Sequence, residues 1–201
     1  MNLEYVHISM ICTWCEIQKI KTKNLDSIIL EQSQRVEEFL EKIYEWSGYQ
    51  KMELLYRGSR DGTKSTIFHE KCDNQGPTIT LYKNDKGNIF GGFSPISWAC
   101  GDKYITNSKF FIFTLTNIYD TKPTKFPSKN SGYQAYHGKD YGPYFYDIRT
   151  YADYLNEKSY SNFPNNYEDN LGKGYSLFTS DQNNKSFQMK EIEVFKLIKL
   201  D

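Results

Sequence analysis

The chain has 201 residues, and its 25 Lys and Arg are balanced by 25 Asp and Glu, so the formal net charge at pH 7 is zero. This balance excludes a chain dominated by one sign of charge, and no electrostatic footprint for nucleic acid or anionic lipid stands out. The longest apolar stretch, around residues 110–115, is far shorter than the roughly 20 residues of a membrane-spanning helix. The N-terminus lacks the basic start of a signal peptide, so we expect a cytoplasmic protein with no membrane insertion.

Aromatic residues are abundant, with 17 Tyr, 13 Phe and 3 Trp. Flat rings pack well on half-buried sheet surfaces, where a phenol still reaches water, so this composition predicts mostly strand. The 4 cysteines are too few and too unevenly spaced for a secreted disulfide scaffold, and we expect reduced thiols. Cys72 and Cys100 are interpreted as core residues.

The predicted elements begin after residues 1–24, a mixed leader or extra element that ends in the basic sequence KIKTK. Apolar residues then recur at helical spacing across residues 26–48, which predicts one long amphipathic helix that could break near Ser33. A buried strand is predicted at residues 52–57 and a short helix at residues 63–72.

Strand patterns dominate the rest of the chain. Residues 78–83 and 88–94 flank the turn sequence NDKG and predict a hairpin. Further strands are predicted at residues 110–116, 175–178 and 187–200, and loops at residues 119–130 and 154–174. The last strand carries apolar residues at both parities, which is typical of a central strand. The pattern predicts a mostly β, α+β domain, a two-sheet antiparallel β-sandwich with a long N-terminal helix and a short helix after the first strand.

Five sequence blocks follow one another in the order that a known family has them. They are LLYRGSRDG (residues 54–62), FHEKCDNQGPTITL (68–81), GGFSPISW (91–98), GPYF (142–145) and EIEVF (191–195). Together they resemble a TLDc domain, and the likeness runs from about Leu25 to Lys199. We therefore expect the domain to occupy residues 25–201, after a leader of residues 1–24.

Two positions depart from the family pattern. Tyr146 follows GPYF where the family usually has Gly, and the family's Leu-Thr-Gly becomes the sequence LFTS, which ends at Ser180. A backbone approach that needs glycine is in doubt at both places.

The resemblance also implies a function. TLDc proteins are associated with resistance to oxidative stress, and several members bind the vacuolar proton-pumping ATPase and regulate its assembly. The resemblance therefore implies a non-catalytic, protein-binding and regulatory module without a cofactor. Subunits of the pump's cytoplasmic sector are the leading candidate partners.

The RGSRDG motif permits an enzymatic and a structural interpretation. In a hydrolase, Ser59 would be the nucleophile and His69 the base, but the second glycine is one residue too late for a Gly-x-Ser-x-Gly elbow. Asp61 or Asp73 would then orient the base. We favour a strand-to-helix turn, whose glycines free the backbone while Asp61 or Thr63 caps the next helix. The turn consists of Arg57, Gly58, Ser59, Arg60, Asp61 and Gly62.

Two acids near the C-terminus complete this interpretation. Glu191 and Glu193 lie two residues apart on one strand face, as paired acids in a glycosidase can. We interpret them instead as structural partners of Arg57 or Arg60. The enzymatic alternative remains a protein acting on small ester, peroxide or glycoside substrates.

The leader contains the other candidate ligands. Cys12 and Cys15 form a CxxC that could hold half a zinc site or act as a redox pair, with His7 as a third ligand. The second CxxC of a zinc ribbon is absent from the sequence, so we predict no metal. A nucleic-acid-binding face, the third functional alternative, would need the leader's lysines, Lys19, Lys21 and Lys23.

A cluster of tyrosines threaded with glycines lies in residues 132–146. Tyrosine is enriched at protein contacts, so the cluster could form a sugar-binding or protein-binding surface. A loop that packs over the sandwich is the alternative. The cluster consists of Tyr133, Tyr136, Tyr141, Tyr144 and Tyr146.

Overall fold

The computed structural model of the protein describes residues 25–129 and 131–200. The described helices are α1 (Ile28–Glu31), α2 (Val36–Ser47), α3 (Gly58–Asp61), α4 (Ser65–Cys72) and α5 (Ser176–Thr179). The described strands are β1 (Lys51–Arg57), β2 (Thr78–Asn84), β3 (Ile89–Ser94), β4 (Lys103–Ile105), β5 (Phe111–Thr114), β6 (Thr124–Pro127), β7 (Ala135–His137), β8 (Tyr144–Phe145), β9 (Ile148–Arg149), β10 (Ser159–Ser161), β11 (Ser186–Phe187) and β12 (Met189–Ile198).

The strands form two six-stranded antiparallel sheets, which confirms the predicted fold class. The first sheet has the order β1-β12-β2-β3-β5-β6 and the second has the order β11-β10-β9-β8-β7-β4. One apolar core joins the two sheets, with Tyr82 and Phe90 from the first and Phe145 from the second. A second core lies between α1, α2 and the other face of the first sheet. The first sheet is therefore covered on both faces.

Strand β12 lies in the interior of the first sheet, between β1 and β2, as the prediction of a central strand requires. Ile192 and Val194 belong to the core between the sheets, whereas Phe195 and Leu197 belong to the core beneath the helices. This double burial explains the apolar residues at both parities, because successive side chains of a strand point to opposite faces.

The predicted long N-terminal helix is wrong, because the structure has two helices, α1 and α2, in its place. The break includes Ser33, whose hydroxyl accepts a hydrogen bond from the Arg35 amide at 3.1 Å. Serine competes in this way with the helical pattern of backbone bonds. The break leaves two short elements, and Leu30 of α1 and Phe39 of α2 are both buried against the first sheet.

Three further predictions of local structure are wrong. Residues 175–178, predicted as a strand, are largely in α5, and the two predicted loops contain β6 and β10. Within the part of the chain that the structure describes, β6 pairs with β5 alone, at the edge of its sheet, where Pro127 is tolerated because no ladder donor is needed. Strand β10 is held between β9 and β11, so its order depends on pairing with distant segments.

Two glycines of β3 lie where both faces of the first sheet are closely packed. A Cβ at Gly91 would lie 2.5 Å from Cζ of Phe113, and a Cβ at Gly92 would lie 2.5 Å from Cζ of Phe145. Phe113 lies in the core beneath the helices and Phe145 in the core between the sheets. The GGF and GPYF blocks therefore meet in space.

No helix within the described residues is long and apolar enough to span a bilayer.

Candidate functional site

The RGSRDG turn carries a buried ion pair. Arg57 Nε donates to Glu193 Oε1 at 2.7 Å, and the Glu193 side chain is fully buried. The same carboxylate accepts from the Ser27 hydroxyl at 2.6 Å and from the Ile28 amide at 3.0 Å. Burial raises the pKa of Glu193, while the hydrogen bonds from Ser27 and Arg57 oppose this rise. The pair thus joins the start of α1, the end of β1 and β12.

Arg60, the second arginine of the motif, is placed differently. Its Nη2 donates to Asp61 Oδ2 at 2.8 Å, and its side chain remains 43% exposed. It also lies 3.8 Å from Asp26, whose carboxylate binds Arg57 more closely at 2.6 Å. Neither Glu191 nor Glu193 is a partner of Arg60. The two arginines therefore have separate tasks, one in the core and one at the surface.

The glycine that follows Arg57 is required by packing. A Cβ at Gly58 would lie 1.1 Å from the hydroxyl oxygen of Tyr154, which is itself buried. The predicted cap is wrong, because Lys64 precedes α4 and offers no side-chain hydrogen bond to it. Asp61 instead accepts from the Arg57 amide at 2.9 Å, and the Thr63 hydroxyl donates to Asp153.

The structure does not bring together the residues of the hydrolase hypothesis. The Ser59 amide donates to Glu191 at 3.2 Å, whereas both ring nitrogens of His69 have other partners. His69 Nδ1 lies 2.8 Å from Asp73 Oδ1, so only the base and one proposed orienting acid are neighbours. Glu191 and Glu193 are 6% and 0% exposed, which leaves neither open to a substrate in the manner of a glycosidase pair.

The cysteines differ in their surroundings. Cys72 lies in the core between the sheets, and burial raises the pKa of its thiol. Cys100 is exposed, so its interpretation as a core residue is wrong. Burial and a hydrogen bond to Asp73 raise the pKa of Cys100 to about 11, which disfavours a reactive thiolate. Cys12, Cys15, His7 and the lysines Lys19, Lys21 and Lys23 lie outside the described residues.

The tyrosine cluster of residues 132–146 is not a loop, because it includes β7 and β8. Tyr136 pairs with Tyr104 of β4 on one side and with Tyr144 of β8 on the other. These three side chains therefore share one sheet face, whereas Ala135 and Phe145 point into the core on the other face. The sequence interpretation missed Tyr104, because the three-residue sequence KYI is too short to show an alternating strand pattern.

The tyrosines form one continuous aromatic surface. Tyr104 stacks on Tyr133 at 4.7 Å between ring centroids and contacts Tyr136 at 4.8 Å. The guanidinium of Arg149 lies 5.1 Å from the ring centroid of Tyr146. Tyr104 and Tyr133 are 57% and 45% exposed, so the stacked pair presents a contiguous aromatic area to solvent. We call the following set the tyrosine surface: Tyr104, Tyr133, Tyr136, Tyr141, Tyr144, Tyr146, Tyr151 and Arg149.

Comparison with known proteins places this geometry in a family. The sequence model of the TLDc domain matches residues 23–198. The chain belongs to the TLDc domain family. It is 36% identical over 62 residues to MTOR-associated protein MEAK7 from Danio rerio. This match covers 31% of this chain and 14% of that protein. The chain is 33% identical over 76 residues to Interferon-induced protein 44 from Homo sapiens. That match covers 37% of this chain and 15% of that protein. The matched segments are thus small parts of both relatives.

The departures from the usual TLDc pattern have a structural explanation in this chain. Ser180 adopts φ +60, the left-handed conformation that glycine adopts without strain. Its hydroxyl accepts from Nδ2 of Asn84 at 2.7 Å and also from Asn88, and these contacts stabilise the strained backbone. Tyr146 donates its amide to the Gln134 carbonyl at 2.9 Å, and its ring joins the tyrosine surface.

A buried histidine in this TLDc domain gives a pH-dependent prediction. His137 is 4% exposed and packs against Trp98 at 5.3 Å, and its Nε2 has no hydrogen-bond partner among the described residues. Burial lowers the pKa of His137 from 6.5 to about 4, with a smaller opposing effect of Asp73. Between these values the unfolded chain binds a proton that the folded chain does not, so stability falls as the pH falls through this range.

We expect the His137→Phe variant to lose less stability on acidification than the wild type. From about pH 7 to about pH 5, the unfolding free energy of the wild type should fall by about 2 kcal/mol more than that of the variant. Urea unfolding of both chains at the two pH values measures it. Because the carboxyl groups are common to both chains, equal pH dependence would contradict the assignment to His137.

Proposed function

We propose that this TLDc domain is a non-catalytic protein-binding module that contacts its partner through the tyrosine surface. The exposure of stacked Tyr104 and Tyr133 is the observation that carries this proposal. Tyrosine and arginine are enriched at the centres of protein interfaces, because they combine a large apolar area with polar tips. Arg149, beside Tyr146, adds a positive group to the same surface.

The position of the tyrosine surface on a sheet supports this role. Tyr104, Tyr136 and Tyr144 are held in cross-strand register by β4, β7 and β8. Side chains fixed on paired strands lose little conformational freedom when a partner binds, which favours affinity. Strand β4 is also the last strand of its sheet, so a partner can approach the surface and the strand edge together.

The partner that we propose is the cytoplasmic sector of the vacuolar proton-pumping ATPase, in a cytoplasmic protein that takes part in resistance to oxidative stress. This follows from the association of TLDc proteins with that pump. The name of the Danio rerio relative describes association with MTOR, which supports a regulatory role through protein contacts. The enzymatic alternative is less favoured, since Ser59 and His69 have no mutual contact and Glu191 and Glu193 are buried.

Replacing Tyr104 and Tyr133 together by Ala should weaken partner binding by about 30-fold, which corresponds to about 2 kcal/mol. The measurement is the dissociation constant of the purified chain for assembled cytoplasmic-sector subunits. Both side chains are largely exposed, so the thermal midpoint of unfolding should change little.

Ile118→Ala is the matched control, because Ile118 is 43% exposed and lies outside the tyrosine surface, in the connection after β5. It should bind like the wild type. Wild-type affinity in the tyrosine double variant would overturn the assignment of the surface. No measurable affinity of the wild type for the subunits would instead overturn the assignment of the partner.

A further inference from the structure

Three potential metal ligands meet beneath the connection between β7 and β8. His69 lies on α4, Asp73 directly follows that helix, and Cys100 lies in the connection between β3 and β4. Their ligand atoms are all within 4.8 Å of one another. The two segments are held together by a bridge between Asp73 and Trp98 and by the Asn74 amide, which donates to the Trp98 carbonyl at 3.1 Å.

The orientation of the His69 ring is fixed by its second nitrogen. Nε2 lies 3.0 Å from the carbonyl oxygens of both Gly138 and Tyr141. Carbonyl oxygens only accept hydrogen bonds, so Nε2 carries a proton. Histidines that ligate metals characteristically donate their other ring nitrogen to a backbone carbonyl or a carboxylate, which aims the free lone pair at the ion.

The remaining nitrogen of His69 then faces another acceptor. Nδ1 lies 2.8 Å from Oδ1 of Asp73, and an imidazole lone pair and a carboxylate oxygen repel one another at this distance unless a cation lies between them. A metal ion bound to both atoms is one such cation, and a proton shared between the two atoms is the alternative. Cys100 distinguishes this place from an ordinary His–Asp pair, because its Sγ lies 3.1 Å from the other oxygen of Asp73.

We propose that His69, Asp73 and Cys100 form a binding site for a divalent transition metal ion, with Zn²⁺ as the best match. One imidazole nitrogen, one carboxylate oxygen and one thiolate sulfur make up the mixed donor set that Zn²⁺ accepts, and the proton of the Cys100 thiol is released to water when the ion binds. Cys100 is exposed, so the fourth tetrahedral position is open to water or to a ligand atom of a partner.

The distances require only a small rearrangement. Zinc bonds of about 2.1 Å at tetrahedral angles place nitrogen and oxygen ligands about 3.4 Å apart. The distance of 2.8 Å between Nδ1 of His69 and Oδ1 of Asp73 must therefore open by about 0.6 Å, and the distance of 3.1 Å between Sγ of Cys100 and Oδ2 of Asp73 must open by a similar amount. Cys100 is exposed and lies outside any helix or strand, and Asp73 follows the end of α4, so the side chains of both residues can make this adjustment around the fixed His69 ring.

The experiment uses the full chain with Cys12→Ser and Cys15→Ser, so that the CxxC of the leader cannot bind the ion. We expect this chain to bind one equivalent of Zn²⁺ by elemental analysis and competition with a chelating dye. Co²⁺ in place of Zn²⁺ should give a thiolate-to-metal charge-transfer band and the visible bands of a tetrahedral ion. Adding Cys100→Ala should abolish the charge-transfer band and weaken Zn²⁺ binding roughly tenfold or more.

Asp73→Asn in the same background provides a second variant, which keeps the shape of the side chain and removes its charge. It should also weaken Zn²⁺ binding, with circular dichroism showing that the fold is retained. Failure of the Cys12→Ser/Cys15→Ser chain to bind Zn²⁺ would overturn the proposal. Unchanged Zn²⁺ affinity and Co²⁺ spectrum after Cys100→Ala would overturn it equally.

Discussion

Replacing Arg57 by Met is expected to destabilise the protein by about 3–5 kcal/mol, the usual effect of removing one partner of a buried ion pair. The variant leaves the Glu193 carboxyl, which is fully buried, without its positive partner. It also removes the contact of the guanidinium with Asp26 at the start of α1. Urea unfolding at neutral pH, followed by circular dichroism, measures the loss.

Arg60→Met is the matched control within the same motif. Arg60 is 43% exposed and pairs with Asp61 at the surface, so the loss should stay below about 1 kcal/mol. In a third variant, Arg57→Met with Glu193→Leu should recover much of the stability, because a buried pair can often be replaced by apolar residues of similar volume. Equal losses for the two single variants would contradict the different tasks of the two arginines.

Gly92→Ala is expected to destabilise the protein by about 3 kcal/mol, at the upper end of the usual range for overpacking. The new methyl group would lie 2.5–2.7 Å from three atoms at the end of the Phe145 ring, and both residues are held by sheets that pack face to face. Neither backbone can retreat without disturbing its own ladder. Thermal and urea unfolding report the loss.

Changing Phe145 tests whether its ring causes the loss of stability in Gly92→Ala. Phe145→Leu removes the three ring atoms that the methyl group would meet, so Gly92→Ala should cost less in that background than in the wild type. Gly101→Ala is the control, because its added Cβ would meet only the flexible Lys103 side chain, at 3.7 Å. Additive effects of Gly92→Ala and Phe145→Leu would show that the two residues do not pack as described.

The sequence allowed the fold class and the position of β12 to be predicted, because apolar residues at both parities are a local record of burial on both faces. Strands β6 and β10 have no comparable pattern of apolar residues in the sequence. Residues 124–127 and 159–161 are polar or mixed in sequence, and their order comes from pairing with neighbouring strands. The sequence allowed a break near Ser33 but did not require one, because the apolar spacing continues on both sides of it; in the structure the Ser33 hydroxyl accepts from the Arg35 amide within the break.

Each candidate site was also predictable from the sequence only in part. Most of the tyrosine surface was visible as composition, but Tyr104 comes from another strand and joins it only through pairing with Tyr136. The spacing of His69 and Asp73, four residues apart, was apparent in the sequence, whereas Cys100 is 27 residues beyond Asp73. Its approach depends on the bridge between Asp73 and Trp98, and no local pattern indicates such a bridge.

The hydrogen bond from Ser27 to Glu193 joins two residues that are 166 positions apart in the chain. A disulfide at this place would restrict the unfolded chain, whereas a hydrogen bond is absent from that state and acts only in the native one. Helix α1 has four residues, too few to persist by itself in water. Its melting is therefore coupled to that of β12, and the earliest and latest described elements of the domain open as one cooperative unit rather than fraying separately.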